Sequence, residues 1–227
     1  MVEIPLHGGR VTTGVVRVGD TVRRPEKANA WLVRALLRDL ERAGFEAAPR
    51  YLGRDEHGRE TFSFQPGDVP DELDASFPDD VLAAAARLIR RYHDATAGTD
   101  LAPGADVVCH NDLSPCNFVF RGGEPVGIID FDRAAPGRRL EDLGYALFLW
   151  LNLGTDGPPV AEQARRIALF CRAYGVEPNR AVVDAVLDAV ASNIDRLRAE
   201  DRSSDAVWWQ AQLAWLEQEQ HALAASQ

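Results

Sequence analysis

The sequence predicts an α+β chain of two lobes, a small β-rich amino-terminal lobe over residues 1–65 and a mainly helical carboxy-terminal lobe over residues 66–227. Three observations predict it. Short β-prone segments separated by turn residues crowd ahead of a Pro66-Gly67 break. Helical apolar spacing dominates from Leu140 onward, interrupted near Gly154 to Pro159 and near Gly175 to Pro178. At 227 residues, 46% of them hydrophobic, the chain is long enough to bury a substantial core without staples.

The elements follow in order. From Gly8 to Pro25 the chain is rich in Gly, Val and Thr, and a Gly19-Asp20 turn between valine-bearing segments predicts a β-hairpin. Between Asn29 and Gly44, Trp31, Leu32, Ala35, Leu36, Leu40 and Ala43 recur at helical spacing, and Gly44 is a natural stop. Arg50 to Gly53 and Glu60 to Phe64 predict two short strands around the turn-like Asp55-Glu56-His57-Gly58. Leu82, Ala85, Ala86, Ile89, Tyr92 and His93 line one face of a helix that stops at Gly98. Val107-Val108 is an apolar entry to a polar loop. The continuous run Val126-Gly127-Ile128-Ile129 predicts a buried strand ending on Asp130.

Composition narrows the function. A formal net charge of -10 repels nucleic-acid backbones and anionic membranes, so neither nucleic acid nor membrane is expected as a partner. No stretch approaches the ~18 apolar residues of a membrane span, and Met1 to Pro5 carries no basic leader, so neither insertion nor secretion is expected. Three cysteines, Cys109, Cys116 and Cys171, are an odd count without a disulfide framework and fit a reducing cytoplasm. No Walker A stretch is present, and Cys109, His110, Asp112 and Cys116 lack the paired close-spaced ligands of structural zinc.

The chemistry-bearing stretch is Cys109-His110-Asn111-Asp112-Leu113-Ser114-Pro115-Cys116-Asn117, followed by a hairpin-like Arg121-Gly122-Gly123 and then Ile128-Ile129-Asp130-Phe131-Asp132. Phosphoryl transfer needs an oriented hydroxyl, a bound metal and neutralised phosphate charge, which two carboxylates and an amide can largely supply. Asp112 would accept or orient the hydroxyl proton. Asn117 offers a neutral oxygen and Asp130 a charged one, a donor set suited to Mg²⁺ that shares a nucleotide's phosphates. His110 is expected to brace the loop, with Asp132 supporting at the end of the pattern.

On these residues the chain resembles the aminoglycoside phosphotransferase family, the small-molecule branch of the protein-kinase-like superfamily, most sharply from His110 to Gly144. The resemblance implies a two-lobed protein-kinase-like fold that moves the γ-phosphate of ATP or GTP to a hydroxyl of a small molecule such as an aminoglycoside or other antibiotic. It implies that Gly8 to Val15 covers the phosphates and that Thr61 to Gly67, with Phe64, meets the base. The strand Thr21 to Pro25 would carry the phosphate anchor. Position for position that anchor falls on Arg23, with Arg24 beside it, while the only lysine, Lys27, lies beyond Pro25. The glutamate usual in the next helix has no counterpart, since Trp31 to Leu40 offers only Arg34, Arg38 and Asp39.

Leu140 to Ala146 is similar to the family's Asp-Leu-Ala element, where Asp142 is expected to cap a helix amino terminus. Asp184, Asp188 and Asp195 recur at helical spacing, either as a solvated stripe or as an acidic pocket wall, and Trp208-Trp209 offers helix packing or a stacking surface. A second function fits the resemblance: a catalytically weak binding or immunity protein that sequesters a toxin or peptide. The departures at Arg23 and in the next helix favour it, while the intact Asp112, Asn117 and Asp130 favour the enzyme.

Overall fold

The computed structural model describes residues 2–6, 14–70 and 77–224. An antiparallel sheet runs in the spatial order β1 (Ile4–Pro5), β2 (Val16–Val18), β3 (Thr21–Arg24), β5 (Glu60–Ser63), β4 (Tyr51–Arg54). The Gly19-Asp20 turn joins β2 to β3 as the hairpin reading requires; residues 8–13, where the phosphate cover was expected, lie outside the described residues. Helix α1 (Ala30–Arg42) buries Val33, Leu36, Leu37 and Leu40, one stripe of its 3.6-residue repeat, and ends at Gly44 with φ 72°.

The chain leaves β5 through Gly67. Its φ of 147° and the 2.4 Å that would separate an added Cβ from the Phe120 carbonyl admit only glycine there. Asp68 and Phe120 exchange two backbone hydrogen bonds at this crossing, 2.9 and 2.8 Å, so the junction is stitched to the hairpin β7 (Phe118–Arg121) and β8 (Glu124–Ile128). Around it lie α2 (Asp79–Thr96), the ladder of β6 (Val107–Cys109) with β9 (Ala135–Gly137), and α3 (Arg139–Trp150), α4 (Val160–Tyr174), α5 (Arg180–Ala199) and α6 (Ser203–Ala224). Trp150, Tyr92, Phe118, Phe148 and Phe170 fill the centre, fully buried. Gly144 lets α3 and α5 touch, because a Cβ there would sit 2.3 Å from the Ala185 carbonyl.

Asp142 differs from its expected role. Arg138 occupies the N-cap position of α3, and Asp142 lies inside the first turn, fully buried. Its carboxylate accepts instead from the backbone N–H of His110 (2.7 Å) and of Asn111 (2.8 Å). His93 Nε2 lies 3.0 Å from the same oxygen, and His93 Nδ1 lies 2.7 Å from the Tyr174 hydroxyl. A carboxylate only accepts, so Nε2 donates to it. Loop, α2, α3 and α4 thus meet on one carboxylate. Burial opposes its ionisation, yet the His93 hydrogen bond and the two backbone donors hold it below the usual carboxylate range.

Asp142→Ala is expected to cost about 3–5 kcal/mol at neutral pH in urea denaturation, the range for leaving buried partners uncompensated. Because the folded pKa is depressed, that stability is present above the ordinary carboxylate value of ~3.9 and disappears as pH falls below it, so the gap between wild type and variant should close in acid.

Candidate active site

The loop from His110 to Asn117 is held at several points. His110 is fully buried and donates from Nε2 to the Ile129 carbonyl at 3.0 Å, its ring 4.8 Å from that of Phe131. Trp150 donates from its indole to the Leu113 carbonyl at 3.1 Å. Asn111 and Asp130 both take left-handed backbone, φ 59° and 63°, a conformation that Asn and Asp tolerate best among residues with a Cβ and that still costs on the order of 1–2 kcal/mol. Two such residues, one in the wall of each cavity described next, mark where local stability has been given up for geometry.

Two cavities meet this loop. The smaller, about 490 Å³, lies under the sheet and is lined by Val22, Arg24, Phe64, Gln65, Asn117 and Asp130 among others. The larger, about 840 Å³, lies between the loop and α5, with Asn111, Arg133, Tyr145, Asp184, Asp188 and Asp195 in its wall. Asp112 is bonded to a wall residue of each: its carbonyl accepts from the Asn117 amide at 2.8 Å, and its Oδ1 accepts from the Tyr145 hydroxyl at 3.0 Å. Arg133 Nη1 stands 3.6 Å from that same oxygen. Burial, then the neighbouring Asp112 charge, push the Tyr145 hydroxyl up, so it remains a donor.

The cleft under the sheet is crowded with charge. Arg24 Nη2 is 2.7 Å from Asp132 Oδ1, its Nη1 is 3.9 Å from Asp130 Oδ1 and its Nε is 3.9 Å from Glu60 Oε2. Lys27 also pairs with Asp132, and Asn29 donates to the Asp132 carbonyl. Burial raises the cost of ionising Asp132, but Arg24 and Lys27 outweigh it and hold the carboxyl below its ordinary value. Withdrawal from water, then the charge of Asp132, push Asp130 the other way. The two carboxyls of the Asp-Phe-Asp run are therefore driven apart by their surroundings, a pattern concentrated at functional sites.

The structure brings Asn117, Asp130 and Phe64 to one cavity, with Asp112 bonded to Asn117 and Asp132 paired with the cavity residue Arg24. Arg23 is not brought there. Side chains alternate along a strand, and Val22 and Arg24 take the cavity face of β3 while Arg23 points away to Asp55, 3.5 Å distant. The arginine of β3 that lines the cavity is thus Arg24, one residue later than the position expected for the anchor. Phe64 stacks under the Arg17 guanidinium, 3.7 Å from its ring centre. Asn117 commits its amide N–H to Asp112, which leaves the amide oxygen as the end on offer to a cation; with the Asp130 carboxyl, 41% exposed, it forms a donor set that Mg²⁺ and phosphate oxygens can complete.

Sequence reasoning gave no role to Tyr145, although it lies within the Leu140 to Ala146 element, or to Glu60, which carries no motif, and it left Asp184, Asp188 and Asp195 undecided. All three aspartates line the larger cavity. Of the tryptophan pair, Trp209 stacks on Tyr145 with ring centres 6.3 Å apart, and Trp208 donates to Asp156 at 2.9 Å.

The model of the phosphotransferase enzyme family (APH) matches residues 95–186, from the end of α2 into α5. The chain is 36% identical over 190 residues to the trifolitoxin immunity protein of Rhizobium leguminosarum bv. trifolii, covering 77% of this chain and 71% of that protein. Among solved structures it is similar to the streptomycin–ATP–APH(2")-IIa ternary complex, with a TM-score of 0.64 at 13% identity over 95% of this chain and 93% of the other. It is also similar to an aminoglycoside phosphotransferase from Alicyclobacillus acidocaldarius, with a TM-score of 0.55 at 15% identity over 97% and 98%. Those likenesses establish the kinase-like fold, and with the family match and the relative they lead to one conclusion: the chain belongs to the phosphotransferase enzyme (APH) family.

Proposed function

We propose that this protein moves the γ-phosphate of ATP or GTP onto a hydroxyl of a cationic small molecule such as an aminoglycoside. The observation that carries the reading is Asp112, bonded on one side to a wall residue of the cavity under the sheet and on the other to a wall residue of the acidic cavity beside α5. The nucleotide would lie under the sheet with its base near Phe64 and its phosphates toward Arg24. An acceptor with ammonium groups suits the aspartates of the second cavity. Its hydroxyl oxygen would attack the γ-phosphorus as the bond to the β-phosphate oxygen breaks, the hydroxyl proton passing to Asp112 and the nucleoside diphosphate departing. Tyr145 and Arg133 occupy the Oδ1 side of Asp112 and steady the carboxylate. Mg²⁺, held by Asn117 and Asp130, would supply neutralisation of phosphate charge.

A second reading has its own support in the 36% identity to an immunity protein: the fold would bind a toxin or peptide in the acidic cavity with little or no turnover.

Thermal shift with ATP and with GTP, each with and without Mg²⁺, separates the two, because a ligand that prefers the native state raises its apparent stability. Magnesium-dependent stabilisation is expected with at least one nucleotide, and Asp130→Ala should abolish it. No shift with either nucleotide favours the binding protein. Asp112→Ala should fold normally and lower the single-turnover rate by about 10²-fold or more, the usual cost of losing a positioned proton acceptor; an unchanged rate sinks the assignment. Arg24→Ala should weaken nucleotide binding in calorimetry more than Arg23→Ala, and the reverse order would place the anchor on the outer face of β3.

A further inference from the structure

Glu60 has no place in the sequence pattern, yet it is the most deeply buried carboxylate of the amino-terminal sheet. It is fully buried on β5, directly opposite Arg24 of β3 in the strand register. Neither of its carboxylate oxygens has an aligned hydrogen-bond donor among the described residues. It is held by charge alone, with Arg34 Nε of α1 at 3.1 Å and Arg24 Nε at 3.9 Å. A carboxylate left so exposed to desolvation is costly for stability, and ordinary strand packing would be served better by an apolar residue. Burial accordingly pushes the Glu60 carboxyl above its usual range, against the pull of Arg24 and Arg34.

Geometry supplies a use for that cost. Glu60 Oε2 lies 3.9 Å from Arg24 Nε, a charge contact with no aligned hydrogen bond, while Nη1 and Nη2 face Asp130 and Asp132. A guanidinium is a rigid planar fork, so an opposite charge against one edge favours the orientation in which the other edge points away from it. The helix α1, where sequence reasoning sought a glutamate and found arginine, contributes the counter-ion instead: Arg34 reaches both Glu60 and Glu26.

We propose that Glu60 is a positioning residue for phosphate binding: from β5 it holds the Nε edge of Arg24 so that both terminal nitrogens address the cleft, and Arg34 of α1 balances its charge. The strand therefore carries the carboxylate and the helix carries the cation. The proposal rests on the phosphotransferase reading, since it concerns how that site holds phosphate.

The test measures binding of the magnesium-loaded triphosphate that stabilises the wild type, and of its parent nucleoside, to full-length variants by calorimetry. Glu60→Gln is expected to weaken triphosphate binding by about tenfold or more while leaving nucleoside binding unchanged, because only the phosphates use Arg24. Glu60→Asp, which keeps the charge, should retain most of the triphosphate preference. The double variant Arg34→Glu/Glu60→Gln, which moves the carboxylate onto the helix, should recover part of what Glu60→Gln loses. Equal losses of triphosphate and nucleoside, or no loss of either, would overturn the proposal and leave Glu60 a structural residue. Should Glu60→Gln fail to fold, Glu60→Asp and the double variant decide by the same triphosphate-to-nucleoside ratio. A wild type that binds no nucleotide would remove the phosphotransferase reading itself, and the positioning role with it; wild-type binding with an indifferent Glu60 removes only the latter.

Discussion

Under the loop that carries Asp112, one buried carboxylate gathers three helices. Asp142 accepts from the backbone of His110 and Asn111 and from His93, whose other nitrogen meets Tyr174. Backbone N–H groups in an irregular buried loop have no ladder to satisfy them, and each left unpaired would cost about 1–3 kcal/mol. By satisfying two in succession, Asp142 lets Asn111 adopt its left-handed backbone and sets the direction in which Asp112 leaves the loop. The position of Asp112 relative to Tyr145 then follows, because Tyr145 sits one turn along the same helix as Asp142. The core, the loop and the candidate chemistry thus share a single electrostatic support, which explains why this carboxylate lies where no solvent reaches it.

The cleft above is organised by a different balance. Arg24 and Lys27 face Asp130 and Asp132, two charges of each sign, and Glu60 and Arg34 behind them form a further opposed pair. A nucleotide triphosphate brings several negative charges into a space already close to neutral. It must compete with Asp132 for Arg24, and the competition is eased only if a cation arrives to occupy the carboxylates. On the proposed reading, magnesium dependence would follow from this arithmetic of charge as much as from the presence of Asn117 and Asp130. The elevated pKa of Asp130 points the same way: without a cation beside it, the ionised form is disfavoured by its surroundings.

Much of this was legible in the chain because the signals are local. Helical spacing fixed α1 and α2, a glycine-bearing turn fixed the β2–β3 hairpin, and an apolar run ending in Asp-Phe-Asp located the strand that delivers Asp130. What escaped depends on register or on distant pairing. Arg23 and Arg24 are neighbours in sequence and opposites in space, and only the alignment of β3 with β5 decides which one turns inward. Asp142 has the look of a helix cap because acidic residues favour first turns, but its partners lie over thirty positions earlier, at 31 and 32 residues' separation. Glu60 carries no motif, and its meaning appears only when strand, helix and cleft are assembled. The spacing of Asp184, Asp188 and Asp195 placed them on one helix face without saying what that face meets; Gly144, by bringing α5 against α3, turns it toward the loop.

Membership of a phosphotransferase family and an immunity relative pose one physical question for this scaffold. The acidic cavity can attract a cationic molecule whether or not phosphate is transferred, since attraction needs only the aspartates of α5. Transfer needs more: Asp112 oriented, a cation held, and Arg24 released from Asp132 toward phosphate. The support for the first of these is built deep into the core, at the cost of a buried ionised carboxylate, and the proposed anchor for the last, Arg24, is set against a second one at Glu60. A protein that merely sequestered its target would still use Asp142, which holds loop and core together, whereas neither Glu60 nor Arg24 lies in the wall of the acidic cavity. Glu60, costly to bury and set against Arg24 rather than against the acidic cavity, is the carboxylate that favours the proposed transfer over sequestration alone.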